Sequence, residues 1–310
     1  MGYDVIGDIH GQADKLHALL KKLGYRRIAG AYRHPGRCAV FVGDLIDRGP
    51  MQMETVSTVR AMCDAGSALM VMGNHEFNAI AWHTEDPQRP GAFLRSRVGG
   101  LGERNRSQHA AFLAEVEADA SRHRDVIDWF KTLPLWLDLP GLRVVHACWH
   151  DGYMRELAPL LTPGRQMTPG LEVSASRVGS LAFRTIEGLT KGLEVDLPAG
   201  MSHLDKDGHA RTKQRIAWWS AAGTTYRDLA LVPDSLRATL PDVPMPSDAR
   251  PAYDNTKPVF FGHYWMTGTP RLLSPMVACV DYSAAKGGPL VAYRWDGEVQ
   301  LDAGNFVRES

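Results

Sequence analysis

Three short stretches hold most of the side chains able to do chemistry: Gly7-Asp8-Ile9-His10-Gly11, Gly43-Asp44-Leu45-Ile46-Asp47-Arg48-Gly49 and Gly73-Asn74-His75-Glu76. Each follows an apolar run, and the glycines beside the polar residues let the backbone turn sharply and come close to a ligand. Two further histidines, His146 and His263, also follow apolar runs. Together these positions offer carboxylates, an amide and several imidazoles. Mixed oxygen and nitrogen ligation suits divalent manganese, iron or zinc, and a set without thiolates does not read as a structural zinc site. Two cations about 3.5–4 Å apart can share a carboxylate and activate a bridging water. Asp44 follows the middle strand of the first three, which makes it the natural shared ligand.

The elements that must position these residues are visible as alternating patterns. Tyr3 to Ile6 reads as a short strand, and Leu16, Leu19, Leu20 and Leu23 have helical spacing up to a stop at Gly24. Arg37 to Val42 and Ala68 to Met72 read as strands, with a helix predicted over Met53 to Cys63 between them. Strand-helix-strand-helix-strand favours an α/β architecture, and ligands of α/β sheets sit beyond the carboxyl ends of the strands. Leu142 to Val145 and Val259 to Phe261 are further strands, leading to His146 and His263. Strands with turns at Lys286-Gly287-Gly288 and Asp296-Gly297 are expected over Met276 to Leu301.

Residues 84–125 read as a helical insertion, with Arg95 to Arg106 loop-like and Gln108 to Ala120 helical. From about 152 to 254 regularity is poor, and prolines 233, 241, 244, 246, 251 and 258 mark a loop. This region is expected to form a cap over the site within one domain spanning 1–310.

The constellation resembles the phosphoprotein phosphatase family of metallophosphoesterases, bacterial members included. The signature GDxHG, GDxxDRG, GNHE is present in order over roughly residues 7–76, and His146 and Gly262-His263 extend the match at single positions. The resemblance implies a four-layer α-β-β-α sandwich of the calcineurin-like metallophosphoesterase kind. It implies that Asp8, His10 and Asp44 hold one divalent metal ion and that Asp44, Asn74, His146 and His263 hold a second. Manganese is the first expectation, with iron or zinc as alternatives. His75 would be the general acid, positioned by Asp47, and Arg48 would bind phosphate oxygens, which suits a planar guanidinium. A second phosphate-binding arginine is expected near Ala217-Trp218-Trp219-Ser220, and Arg215 is the candidate. The implied activity is phosphoester hydrolysis by water activated between the metals. A serine/threonine-type protein phosphatase comes first and a dinucleoside-polyphosphate (diadenosine tetraphosphate) hydrolase is the alternative. The substrate is thus a phosphorylated protein or a small phosphoester or nucleotide.

Lys plus Arg equals Asp plus Glu, 35 each, which argues against generic attraction to nucleic acid or anionic membrane. No stretch approaches the run of about 18 apolar residues that spans a membrane, and the N-terminus goes straight into a strand, so no signal peptide is expected. Cys38, Cys63, Cys148 and Cys279 form no CxxC pair, so a cytoplasmic chain of free thiols is expected. His150 and Asp151 are expected to cap a loop, and Trp218 and Trp219 to pack in the core rather than stack on a base. His83, His109 and His123 are expected in solvent. Arg95, Arg97, Arg104 and Arg106 read as a solvated face or a basic lip for an anion.

Overall fold

The computed structural model describes residues 1–204, 210–220, 223–232, 234–246, 249–251 and 253–309. The chain begins with β1 (Gly2–Ile6), α1 (Ala13–Lys22), a hairpin of β2 (Arg26–Ile28) and β3 (Ala31–Arg33), β4 (Arg37–Phe41), α2 (Gln52–Asp64), β5 (Ala68–Met70) and α3 (Asn74–His83). Helices α4 (Gly99–Val116) and α5 (Ala120–Lys131) follow, then β6 (Trp136–Leu139) and β7 (Leu142–Val145). Next come α6 (Asp151–Leu157), α7 (Leu171–Ala175) and α8 (Leu181–Lys191). Short pieces occupy the next stretch: β8 (Glu194–Asp196), β9 (His203–Leu204), β10 (Ala210–Arg211), β11 (Lys213–Arg215), α9 (Tyr226–Leu229) and α10 (Asp234–Arg237). The chain closes with β12 (Val259–Phe261), β13 (Val277–Cys279), β14 (Val291–Trp295) and β15 (Phe306–Arg308).

Two sheets dominate. One has the order β15-β14-β1-β4-β5 and the other β13-β12-β7-β6. β1, β4 and β5 run parallel, as do β7, β12 and β13. Period-two alternation decides which side of each strand meets which layer. Val5, Val40, Leu142, Val144, Phe260, Ala278 and Tyr293 form one buried cluster, to which both sheets contribute. Their neighbours Ile6, Phe41, Val145, Val259, Phe261 and Cys279 belong instead to the cluster shared with the helices. Phe260 meets Tyr293 across the gap with ring centroids 5.0 Å apart. Both faces of both sheets therefore carry buried side chains, the α/β sandwich that the family resemblance implies.

Two readings of the middle of the chain need correction. Arg95 to Arg106 is not all loop, because α4 already starts at Gly99. Of the glycines that give the segment its loop-like composition, Gly102 serves close approach, since a Cβ there would lie 2.2 Å from the carbonyl carbon of Arg97, and Gly99 takes φ +64°. Residues 151–191 are not irregular but hold three helices. Leu157, Ile186 and Leu189 are fully buried in the main core, so this part of the supposed cap is integral to it. Only beyond Gly192 does regularity fall away. Pro233, one of the loop-marking prolines, lies outside the described residues.

Candidate active site

The parallel strands deliver their motifs to one edge. Asp8 and His10 follow β1, Asp44, Asp47 and Arg48 follow β4, and Asn74 and His75 open α3 just after β5. From the second sheet, His146 follows β7 and His263 follows β12. The turns needed are tight: among the described non-glycine residues, His10, Asp44, Asp47, Arg48 and His263 all have positive φ, between 48° and 75°. Strained backbone of this kind persists only where surroundings hold it, and it clusters at functional sites. Gly43 has φ +105°, and a Cβ there would lie 2.6 Å from Gly73 N, so only glycine fits.

Asp44 is the hub. Its Oδ2 lies 3.3 Å from His146 Nε2, 3.7 Å from His10 Nε2 and 3.9 Å from His75 Nε2, while Oδ1 accepts the His75 N–H at 2.9 Å. Asn74 Oδ1 lies 2.8 Å from His263 Nδ1 and 3.2 Å from His146 Nε2. Asp8 Oδ2 accepts the His263 N–H at 2.9 Å. Nδ1 of His10 sits 2.8 Å from the Ile46 carbonyl and that of His146 sits 2.7 Å from the Val42 carbonyl. Each bond orients its ring and leaves Nε2 free to face inward, the arrangement that metal-binding histidines use.

All six expected ligands are buried, and Asp8 Oδ1, His10 Nε2 and His263 Nε2 have no hydrogen-bond partner. Buried polar atoms are rarely left so. A divalent cation would satisfy them, and oxygen and nitrogen donors fit manganese, iron or zinc. Donor atoms of His10, Asp44 and His75 lie within 4.8 Å of one another, as do those of Asp44, His146 and His263. Neither triplet includes Asp8, and His75 stands nearer the first cluster than a residue expected only to move a proton.

Within the protein itself the charges of these groups compensate one another. Burial alone would lower the His146 pKa, but the Asp44 carboxylate outweighs it and holds the ring up at about 10. Burial likewise pushes Asp44 up, and the facing His146 and His75 bring it well below the usual carboxylate range. Asp8 is pushed up by burial and then by the neighbouring Asp281 carboxylate. His10 falls to about 3, chiefly through burial, and His263 is lowered by burial and by Arg215.

Asp47 reaches His75 with Oδ2, 2.5 Å from Nδ1. Arg48 is exposed, with its guanidinium carbon 4.3 Å from the Trp265 ring centroid. Arg215 lines a cleft of about 590 Å³ together with Lys213, Tyr264 and Met266, and its charge is felt at His263.

Some residues outside the prediction belong to the site. Glu76 is fully buried and accepts the N–H groups of Asp44, Leu45 and Gly73 at 2.8–2.9 Å. Its position three residues after the Gly73 cap was the available signal. Trp265 stacks on His10, with centroids 5.3 Å apart. His109, expected in solvent, is buried with Nδ1 2.6 Å from Asp47 Oδ1. His123 is buried as well, its ring edge-on to Phe112, and His83 of α3 is half-buried against His123. Arg95 does not form a solvated face: it binds Asn78 Oδ1 at 2.7 Å and Gln108 Oε1 at 3.0 Å. Arg97, Arg104 and Arg106 are exposed; Arg97 lies over Phe93 and bonds the Trp82 carbonyl, and Arg106 pairs with Glu117. Trp218 is core, giving its indole N–H to Ala147 O at 2.9 Å, and Trp219 is half-buried. His150 caps α6, Asp151 Oδ1 accepts the Trp149 indole N–H at 2.9 Å, and burial pushes the Cys148 thiol well up.

A fold of this kind with this cluster defines a metallophosphoesterase. Residues 1–161 match the calcineurin-like phosphoesterase family, and the chain belongs to that family. It is similar to bis(5'-nucleosyl)-tetraphosphatase PrpE [asymmetrical] of Halalkalibacterium halodurans, 49% identical over 76 residues. The protein of the same name from Bacillus subtilis is 46% identical over 76 residues. Each match covers 24% of this chain and 31% of the relative, so the chain spans about a third of the curated relatives it matches. Among solved structures, a protein serine/threonine phosphatase from Saccharomyces cerevisiae aligns over 100% of this chain and 79% of its own, with TM-score 0.52 and 16% identity. A cold-active protein tyrosine phosphatase aligns over 99% and 78%, again with TM-score 0.52 and 16% identity. These two show the shared fold alone. No helix of the described residues is long and apolar enough to cross a membrane.

Proposed function

We propose that this metallophosphoesterase cleaves the phosphoanhydride chain of a dinucleoside polyphosphate, with Asp8, His10, Asp44, Asn74, His146 and His263 holding two divalent cations. The observation that carries the metal-dependent reading is the buried ring of donors around Asp44, in which Asp8 Oδ1, His10 Nε2 and His263 Nε2 lack protein partners. Bound there, divalent cations supply Lewis-acid charge and lower the pKa of the attacking water.

The chain's own residues do the rest. Arg48 is exposed beside the donor ring and binds the phosphoryl oxygens with its fork of N–H donors. Arg215 offers a second guanidinium from the His263 side of the cleft. His75 presents Nε2 to the leaving oxygen and gives it a proton, while Asp47 holds Nδ1 and fixes the ring.

For the substrate, the matched curated relatives carry the tetraphosphatase name, whereas the protein phosphatases share fold at 16% identity. The nucleotide reading therefore stands ahead of the serine/threonine phosphatase expected first from the motifs. Parallel manganese-supplemented assays on diadenosine tetraphosphate and a phosphoserine peptide test it. Faster cleavage of the nucleotide is expected; turnover of the peptide alone would overturn the substrate reading.

A further inference from the structure

His109 sits on α4, in the segment between β5 and β6, and nothing in the motifs points to it. Its ring is buried, with Nδ1 2.6 Å from Asp47 Oδ1. The other Asp47 oxygen meets His75 Nδ1. One carboxylate is thus gripped by two imidazoles, one on each oxygen. The Asp47 backbone N–H is also tied, to Gln52 Oε1 at 2.6 Å.

The helix that carries His109 is itself fixed. Glu115, nearly two turns further along α4, accepts the N–H groups of Gln52 and Met53 at 2.7 and 2.9 Å and so caps the start of α2. Phe112 packs against the His109 ring with centroids 4.9 Å apart, and Trp82 meets it edge-on at 6.1 Å. His109 Nε2 is buried without a hydrogen-bond partner. As filler for an apolar pocket an imidazole is a poor choice, since burying a polar ring costs free energy that leucine would not. Its bond to Asp47 is what the imidazole offers that leucine lacks.

We propose that His109 is a positioning residue for the general acid. By holding Asp47 Oδ1 it stops the carboxylate from rotating, so that Oδ2 keeps His75 aimed with Nε2 toward the leaving oxygen. Burial would raise the Asp47 pKa, and the bonds from His109 and His75 outweigh it and bring it to about 2, which keeps the carboxylate an acceptor for both rings. The inference rests on the role assigned above to His75.

The test uses the manganese-loaded protein and two substrates. Phenyl phosphate has a leaving oxygen that needs a proton; p-nitrophenyl phosphate has one that scarcely does. His109→Leu keeps volume and loses the donor, whereas His109→Asn places an amide N–H where Nδ1–H stood. Expected for His109→Leu is a fall in kcat of about 100-fold on phenyl phosphate, within the usual range for general acid catalysis, against less than about 3-fold on p-nitrophenyl phosphate. KM, manganese content and melting temperature should stay near wild type. His109→Asn should recover most of the loss on phenyl phosphate. Equal losses on both substrates, no loss, or no recovery by asparagine would overturn the proposal while wild-type turnover left the functional reading standing. A wild-type protein inactive on both monoesters and on diadenosine tetraphosphate would instead sink the functional reading, and the role of His109 with it.

Discussion

His75 and His109 show how differently two histidines with similar partners can be read. His75 stands in a contiguous motif after a strand, and its place in the candidate site is legible from Gly73-Asn74-His75-Glu76. His109 has no motif, sits among Ser107, Gln108, Ala110 and Ala111, and reads as solvated from sequence; only the docking of α4 against Asp47 reveals its place. The same contrast holds for Trp265, whose stacking on His10 depends on the turn after His263. His75→Asn should lower turnover of an alkyl phosphoester by roughly 10²–10⁴-fold, the usual worth of a positioned proton donor, while manganese content is retained. Steady-state kinetics alongside elemental analysis checks this; wild-type turnover would remove His75 from the acid role.

Among the elements, α1 was legible from leucines at helical spacing, and β1 and β4 as short apolar runs, buried along most of their length and followed by glycine. Helix α3 was not, because it is buried nearly all round: Asn74 to Phe77 and Ala79 to Trp82 are all inaccessible, so no polar face marks the turn. Its start depends on Glu76, which accepts three buried backbone N–H groups from the Asp44 and Gly73 turns. Glu76→Ala leaves those donors unpaired and should cost about 3 kcal/mol, measurable by urea unfolding. Glu76→Gln, which keeps one oxygen acceptor, should cost less. Further along, Asp86 binds Arg177 and Arg89 and ties the turn after α3 to the end of α7. Arg177 first, then Arg89, holds its carboxyl well below the usual range. A depressed folded pKa means that the tie contributes fully above the unfolded value of about 3.9 and is lost as pH falls through the folded one. Acid should therefore weaken this link. Asp86→Asn should flatten that part of the stability curve, which circular dichroism melts across the acid range would detect. An unchanged acid slope in the variant would count against it.

At the scale of the molecule, the alternation of strands and helices announced an α/β fold, but the pairing of two sheets came only by resemblance. Strands of three to five residues are too short for their periodicity to name a partner sheet. The division became visible when Val5, Val40, Val144 and Phe260 were seen facing one shared layer while their chain neighbours faced helices. That layer also explains the site, because parallel strands from both sheets end at one edge and bring residues 8 and 263 together. The cation site proposed above would thus be assembled from distant parts of the chain, and calorimetric titration of manganese into metal-free protein reads it without any substrate. Uptake of about two ions per chain is predicted, with binding abolished in Asp44→Asn while the fold survives by circular dichroism. No uptake by the wild-type protein, or uptake that Asp44→Asn leaves unchanged, would contradict it.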